Sequence, residues 1–159
     1  MKQYRRYFLF LSVLITFFLF PAFIKCLALP VTSPFGWRSD PISGEWKFHS
    51  GLDLGYEEGT GIPALFSGLV IQSGDYADGY GNQVLLYHQE ADTFTRYGHC
   101  ADIYVIAGEF VVKGQIIAAV GSTGRSTGPH LHLEYIVKGI NGYEYTNPAI
   151  LWGYSGAGQ

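Results

Sequence analysis

Beyond residue 28, the chain alternates short apolar runs with glycine-rich turn segments. The runs are rich in β-branched and aromatic residues, and none continues with an apolar period of 3.6 residues. Many short strands spaced about ten residues apart are typical of an all-β barrel or sandwich. The pattern therefore predicts an all-β fold without a long helix, with strands in the runs 62–68, 69–74, 83–88, 93–97, 110–114, 115–121 and 131–137.

Glycines mark the turns between these runs. The segment 79–82 is expected to form a turn between two strands, and the segment 108–121 is expected to hold two strands around Lys113 and Gly114. No internal repeat or long linker divides the chain. The pattern thus predicts one domain over residues 29–152, followed by a flexible, glycine-rich tail at 153–159.

The first 28 residues have a different composition. Lys2, Arg5 and Arg6 precede an uncharged apolar run at 7–24. This order is typical of a signal peptide or a membrane anchor, and the run is just long enough to cross a bilayer. Positive charge on its N-terminal side predicts that the domain lies outside the cytoplasm. We expect an exported protein, either membrane-anchored through residues 1–28 or, if they are cleaved, secreted or periplasmic.

Charge and cysteine content exclude some classes of protein. Without residues 1–28, the chain carries a net charge of −7 and no cluster of Lys and Arg. Nucleic acid is therefore not an expected partner, because phosphate contacts need clustered basic residues. Cys100 is the only cysteine beyond the leader, so the domain has no internal disulfide.

The histidines suggest a metal site. Four of the five lie in three short motifs, namely His49-Ser-Gly-Leu-Asp53, His99 and His130-Leu-His132. Residues two apart on a strand face the same way, so His130 and His132 should point into one groove. Imidazole and carboxylate are zinc ligands, and the four histidines with Asp53 are more ligands than one tetrahedral ion can bind. We expect one Zn²⁺ per chain, with the surplus histidines free to act on a bound water.

Predictions for two other polar residues, His88 and Glu134, come from their positions on strands. His88 ends a strand beside a polar turn and is predicted to lie at the surface. Glu134 should share a strand face with His132. It could orient a ligand histidine or form an ordinary polar pairing, and both interpretations stay open.

The chain resembles the lysostaphin-type zinc endopeptidases of bacterial cell walls, known as the M23 or LytM family. The matching segments occur in family order from residue 32 to about residue 150, and the longest of them is highly specific. They are TSPFGWR at 32–38, FHSGLD at 48–53, GLV at 68–70, YGN at 80–82, YGH at 97–99, GSTGRSTGPHLHLE at 121–134 and NP at 147–148.

The resemblance implies a role for each motif residue. It implies that His49, Asp53 and His132 bind zinc, and that His130 and His99 are catalytic. His130 would take a proton from water and return it to the leaving amine, while His99 would donate to the developing oxyanion. The implied reaction is hydrolysis of peptide bonds in peptidoglycan stem peptides or cross-bridges. Tyr80 and Asn82 would line the substrate groove or serve only in packing.

The segment 108–121 also resembles a lipoyl or biotinyl carrier domain. We therefore expect a small antiparallel barrel-sandwich core of that kind, with an open groove, after an N-terminal hydrophobic helix. A carrier function is not favoured, because Lys113 lacks flanking methionines and a carrier does not need the histidines. The stronger alternative is a non-catalytic relative that binds cell wall or activates a hydrolase.

Two positions depart from the family pattern. Cys100 follows His99 where the family usually has Leu, and Leu133 replaces a common Phe. Both residues are apolar, so we expect the packing to be kept. A thiolate of Cys100 on the zinc is disfavoured, because its side chain should point away from that of His99 on a strand.

Overall fold

The computed structural model describes residues 29–153, and they form antiparallel strands with one short 3₁₀ helix, Pro148–Trp152. The strands, in chain order, are β1 Val31–Ser33, β2 Gly36–Ser39, β3 Trp46–His49, β4 Leu52–Leu54, β5 Gly61–Pro63, β6 Gly68–Asp75, β7 Asn82–His88, β8 Thr93–Gly98, β9 Phe110–Val111, β10 Ile116–Ala119, β11 Leu131–Gly139 and β12 Gly142–Thr146.

One large sheet organises the molecule. Its strands follow the order β1-β4-β11-β8-β7-β6-β9, and β12 pairs with the far end of β11. Two small sheets, β2-β3 and β5-β10, complete the described residues. Every pairing is antiparallel, and β11 lies inside the large sheet, between β4 and β8.

The two faces of the large sheet differ in chemistry because side chains alternate along each strand. Leu131 and Leu133 of β11 pair with Leu54 and Leu52 of β4 on the face that packs against the core. His132 and Glu134 alternate with these leucines and so belong to the opposite face. The main core residues are Leu52, Leu54, Ile62, Ala64, Val70, Val84, Leu86, Tyr97, Cys100, Val105, Val111, Ile117, Ala118, Val120, Leu131 and Leu133.

Glycine allows two loops to meet beside the polar face. Gly81 and Gly124 have positive φ angles of 62° and 68°. A Cβ added at Gly81 would lie 2.5 Å from the backbone nitrogen of Gly124. A larger residue would therefore separate the loop before β7 from the loop before β11, and these loops form one side of the groove described below.

The all-β antiparallel class is confirmed, and residues 29–153 contain no α-helix. The runs at 69–74, 83–88, 93–97 and 131–137 correspond to β6, β7, β8 and β11. The barrel-sandwich core stays a prediction.

Other expectations about strands need correction. The run 62–68 is not one strand, because β5 ends at Pro63 and β6 begins at Gly68. The two strands around Lys113 and Gly114 exist, but β9 pairs with β6 whereas β10 pairs with β5. They therefore belong to different sheets and do not form a hairpin with each other.

The predicted leader helix, at residues 1–28, and most of the predicted tail lie outside the described residues. Within 29–153, no helix has the length and apolar character needed to cross a bilayer. The assignment of residues 1–28 as a signal peptide or anchor therefore stays a prediction.

Candidate metal centre

Strand register brings the metal-ligand candidates together. Asp53 of β4 and His132 of β11 are direct cross-strand partners, so their side chains leave the sheet side by side. His49 ends β3, and the short turn between β3 and β4 carries it to the same point. That turn contains Gly51, where an added Cβ would lie 2.6 Å from Cε1 of His132. The glycine between His49 and Asp53 is therefore required for the His132 ring to occupy its place.

Three ligand atoms form a small triangle. The Nε2 atom of His49 lies 3.1 Å from Nδ1 of His132 and 3.2 Å from Oδ1 of Asp53. The Nδ1 atom of His132 lies 2.8 Å from the same carboxylate oxygen. Among residues 29–153, these three are the group whose donor atoms are placed to share one ion.

The triangle fits the ligand set expected for zinc. Ligands about 2.0–2.1 Å from a tetrahedral Zn²⁺ lie about 3.3 Å from one another, close to the observed separations. Two imidazoles and one carboxylate leave a fourth position open, which is the arrangement of a catalytic site. The Nδ1–H of His49 donates to the carbonyl of Pro34 at 2.7 Å, so its Nε2 lone pair is free for the metal.

Asp53 is held in its ionised form. Burial alone would raise the pKa of this carboxyl group, but its close contacts with the His132 and His49 rings outweigh burial and hold the pKa well below its usual range. Arg38 adds a positive charge 3.8 Å from Asp53 Oδ2. A carboxylate that stays ionised at neutral pH is the form that binds a metal.

His99 and His130 face each other beside this triangle. Their ring centroids are 4.8 Å apart, and the His99 ring lies 5.6 Å from the His132 ring. Nε2 of His130 lies 3.6 Å from Asp53 Oδ1. His99 follows β8 with a positive φ of 60°, and His130 precedes β11 in an isolated bridge with Gly121. Both therefore come from strand ends, where a side chain can turn out of the sheet.

The protons of these two rings can be assigned from their partners. Nδ1 of His99 lies 2.8 Å from the carbonyl oxygen of Thr123, and Nδ1 of His130 lies 2.8 Å from that of Gly128. A carbonyl only accepts, so Nδ1 carries the proton in both rings. In the neutral form, each ring then has an unprotonated Nε2. Burial lowers the pKa of His99 to about 4, which keeps that ring neutral at pH 7.

An open groove surrounds the five residues. The β2-β3 hairpin forms one wall, and the loops at 78–80 and 125–127 form the other. Arg125 joins the walls by donating two hydrogen bonds of 2.7 Å to the carboxylate of Asp40. Asp40 also accepts from the backbone N–H groups of Ile42 and Ser43, which fixes the tip of the hairpin.

Tyr80 and Asn82 are placed differently. Tyr80 lines the groove, with its ring centroid 5.4 Å from that of His132. Asn82 does not line it: its side-chain amide donates to the carbonyl of Ala101, and its backbone N–H donates to Thr123 Oγ1. The expectation that Asn82 lines the groove is therefore not met. Its side-chain amide and its backbone N–H instead bind neighbouring loops.

His88 is buried, which corrects the expectation of a surface position. Only 4% of the residue is exposed, and its ring hydrogen-bonds to the carbonyl of Ser67 and to Oγ1 of Thr95. Its side chain shares the core face of β7 with Val84 and Leu86, away from the metal centre. Burial lowers the pKa of His88, consistent with a neutral structural histidine.

Cys100 is also buried, and its thiol lies 3.5 Å from the carbonyl of Tyr97. Burial raises the pKa of this thiol to about 12, so it stays protonated at neutral pH. It is not among the grouped metal-ligand candidates of residues 29–153.

Several residues at the site were not identified from the sequence. Ser50 and Arg96 contact Glu134 behind the metal centre, and Asp40 with Arg125 links the groove walls. Ser50 lies inside the His49–Asp53 motif, so its position was a signal that could have been used. Arg96 is one of several polar residues on the strands, and no spacing in the sequence separates it from the others.

The chain is similar to a known protein family and to several characterised proteins. The model of peptidase family M23 matches residues 47–147. The DD-carboxypeptidase/endopeptidase Mpg of Neisseria meningitidis is 40% identical over 109 residues, which are 69% of this chain and 25% of Mpg. The peptidoglycan DD-endopeptidase ShyC of Vibrio cholerae is 40% identical over 104 residues, which are 65% of this chain and 24% of ShyC. The catalytic domain of lysostaphin from Staphylococcus simulans has a TM-score of 0.69 and 31% identity, over 78% of this chain and 92% of that domain.

Because the family model covers more than half of the chain, the chain belongs to peptidase family M23. This family contains zinc metallopeptidases and cell-wall hydrolases. The chain spans about a quarter of the length of the curated relatives it matches.

Substitution of Gly51 tests how tightly the turn fits the His132 ring. We expect Gly51→Ala to weaken zinc binding at least about tenfold, because the added methyl group displaces a metal ligand. Gly128→Ala is the matched control, since a Cβ there meets open space. Zinc affinity is measured by competition with a chromophoric chelator. Equal affinities for the two variants would contradict the close fit.

The lowered pKa of His99 predicts part of the acid sensitivity of the metal-free protein. The unfolded chain takes up this proton near pH 6.5, but the folded protein does so only near pH 4. The stabilising contribution of neutral His99 is therefore complete above pH 6.5 and is lost as the pH falls toward 4. As the pH falls over this range, we expect the unfolding free energy of wild type to drop by up to about 3 kcal/mol more than that of His99→Gln, which lacks the titrating ring. The measurement is urea denaturation with a chelator present, and parallel pH profiles would refute the prediction.

Proposed function

We propose that this protein is a zinc-dependent endopeptidase that hydrolyses peptide bonds in peptidoglycan stem peptides or cross-bridges. The observation that carries the proposal is the arrangement at the groove floor. A three-ligand triangle of His49, Asp53 and His132 has two further histidines on one side, and all five face open space. A structural zinc site would instead be closed by a fourth protein ligand.

His49, Asp53 and His132 would hold the metal. A Zn²⁺ ion bound there would supply Lewis acidity, which lowers the pKa of water and polarises a peptide carbonyl. The carboxylate of Asp53 balances part of the positive charge, and the Pro34 carbonyl fixes the His49 ring in the tautomer that presents Nε2.

His130 and His99 are proposed to move protons. Each ring has its Nδ1–H bound to a backbone carbonyl, so each can accept a proton at Nε2. In the proposal, His130 takes a proton from the attacking water at Nε2 and returns it to the leaving amine. In the proposal, neutral His99 takes up a proton at Nε2 from the solvent as negative charge develops on the attacked carbonyl oxygen, and it donates this N–H to the oxyanion. Its lowered pKa favours return of the proton to the solvent afterwards.

The groove suits an extended peptide with small side chains. Tyr80 forms part of its wall, and the glycine-rich loop 121–128 borders it. Peptidoglycan stem peptides and cross-bridges are of this kind, rich in glycine and D-alanine. Similarity to ShyC, a peptidoglycan DD-endopeptidase, supports the same substrate.

A location outside the cytoplasm follows from this substrate and from the composition of residues 1–28. We propose that these residues export the domain, which is then either anchored to the membrane through them or released after cleavage.

The alternative is a non-catalytic relative that binds cell wall or activates a partner hydrolase. Such a protein does not need an intact reaction centre. Here the three ligand candidates and both flanking histidines are present and oriented toward one groove, which favours catalysis.

The test is digestion of purified peptidoglycans with different cross-bridges by the zinc-loaded full-length chain, kept in mild detergent. We expect mass spectrometry to find discrete peptide fragments from wild type. His130→Ala and His99→Ala should keep their zinc and cleave about 10²–10⁴ times more slowly, because general acid–base catalysis is lost. His132→Ala should lose both zinc and activity.

His88→Gln controls for the loss of a histidine in general, because His88 lies on the core face of the sheet. It should retain cleavage in proportion to its folded fraction, measured by circular dichroism. Intact walls after incubation with wild type of verified zinc content would refute the proposal and favour the binding alternative.

A further inference from the structure

A fully buried carboxylate lies directly behind the metal centre. Glu134 is two residues after His132 on β11, and its exposure is 0%. Burying a carboxylate is energetically unfavourable unless other groups replace the water that it loses. Glu134 is not one of the metal-ligand candidates, so metal binding does not account for a buried carboxylate at this position.

Four side chains donate to this carboxylate. Its Oε1 atom accepts from the hydroxyl of Ser50 at 2.5 Å, from the hydroxyl of Tyr80 at 2.6 Å and, over a longer 3.4 Å, from Nε2 of His132. Its Oε2 atom accepts from Nε of Arg96 at 2.8 Å. An ionised carboxylate only accepts, so the His132 nitrogen that faces Glu134, Nε2, is assigned the proton. The other nitrogen, Nδ1, lies 2.8 Å from Asp53 Oδ1, and these two atoms belong to the group that would share the metal ion.

The donors are themselves fixed. The guanidinium of Arg96 packs over the Tyr80 ring, 4.5 Å from its centroid, and also donates to the side chain of Gln83. Arg96 is the cross-strand partner of Glu134 on β8, so the ion pair is built into the sheet register. Ser50 lies next to His49, so the carboxylate also connects the β3–β4 turn to β11.

We propose that Glu134 is a positioning residue for the metal centre. By accepting the Nε2–H of His132, it holds the ring in the tautomer and rotation that direct the Nδ1 lone pair at the ligand triangle. Ser50, Tyr80 and Arg96 hold the carboxylate in place for that task. The inference rests on the proposed zinc function and deepens it, since it assigns a network of supporting residues.

A simpler role would be stabilisation of the sheet through the Glu134–Arg96 ion pair alone. A matched pair of double variants separates the two roles. Both carry Arg96→Met, which removes the ion pair without leaving a lone charge buried. One adds Glu134→Gln, whose amide oxygen can turn to accept from His132, and the other adds Glu134→Leu, which has no acceptor.

Zinc affinity of the full-length chain is measured by chelator competition, and the His132 ring nitrogens are observed by ¹⁵N NMR of the zinc-loaded protein. We expect the Leu variant to bind zinc about 10–100 times more weakly than the Gln variant. We also expect the Gln variant to keep metal on Nδ1 and a proton on Nε2 of His132, whereas the Leu variant loses this signature. Equal affinities and equal His132 spectra would overturn the inference.

Wild type provides a second measurement that does not depend on the folding of the variants. In the zinc-loaded protein, the Nε2–H proton of His132 should exchange slowly with water and show a nuclear Overhauser contact to Glu134. Zinc bound through Nε2 would overturn the inference while leaving the proposed function intact. A wild-type chain that binds no zinc would overturn both.

Asp92→Asn is the matched control for loss of a carboxylate network. Asp92 lies in the turn between β7 and β8, away from the ligand triangle. Its carboxylate accepts hydrogen bonds from Tyr87, Lys138 and Tyr143. This variant should lower stability and leave the zinc affinity and the His132 spectrum unchanged. A change in zinc affinity as large as that of the Leu variant would contradict a specific role for Glu134.

Discussion

The pairing of β4 with β11 is the constraint on which the rest of the site depends. It sets Asp53 opposite His132 and, in the same register, Leu52 and Leu54 opposite Leu133 and Leu131. A slip by one residue would turn the leucines to the polar face and the ligands into the core. Burial of the leucines therefore fixes the register that the metal centre needs, so the stability of the core and the geometry of the site have one cause.

A second regularity concerns the hydrogen-bond partner of each site histidine, at the ring nitrogen that points away from the metal centre. His49, His99 and His130 lie at strand ends, and each donates Nδ1–H to a backbone carbonyl. His132 lies inside β11, where β4 and β8 occupy the ladder on both sides. The outward ring nitrogen of His132 faces a side-chain carboxylate, that of Glu134, and not a backbone carbonyl. With Glu134 as the proposed positioning residue, this difference accounts for the one histidine that faces the triangle through Nδ1, whereas His49, His99 and His130 present Nε2.

Much of this could be predicted from the sequence, for identifiable physical reasons. Short runs rich in apolar, β-branched and aromatic residues, bounded by turn segments, mark β6, β7, β8 and β11, so these strands were located. Strand β4 was missed because its three residues, Leu-Asp-Leu, form too short a run to be separated from the turns around it. The histidine motifs indicated the metal centre because His-Leu-His forces two rings onto one face. His88 was misjudged because a histidine buried by partners distant in sequence, such as Ser67, looks the same in sequence as an exposed one. The donors to Glu134 come from three separate segments, and only the folded register shows that Ser50, Tyr80 and Arg96 meet.

The most direct test of the account is X-ray absorption spectroscopy at the zinc edge on the full-length chain loaded with one equivalent of zinc. The register predicts nitrogen and oxygen ligands at about 2.0–2.2 Å, with scattering from two imidazole rings that falls to one in His49→Ala. A sulfur ligand at about 2.3 Å, which only a cysteine could supply, or scattering from three or more imidazoles would contradict the claim that β4, β11 and the end of β3 build the metal site.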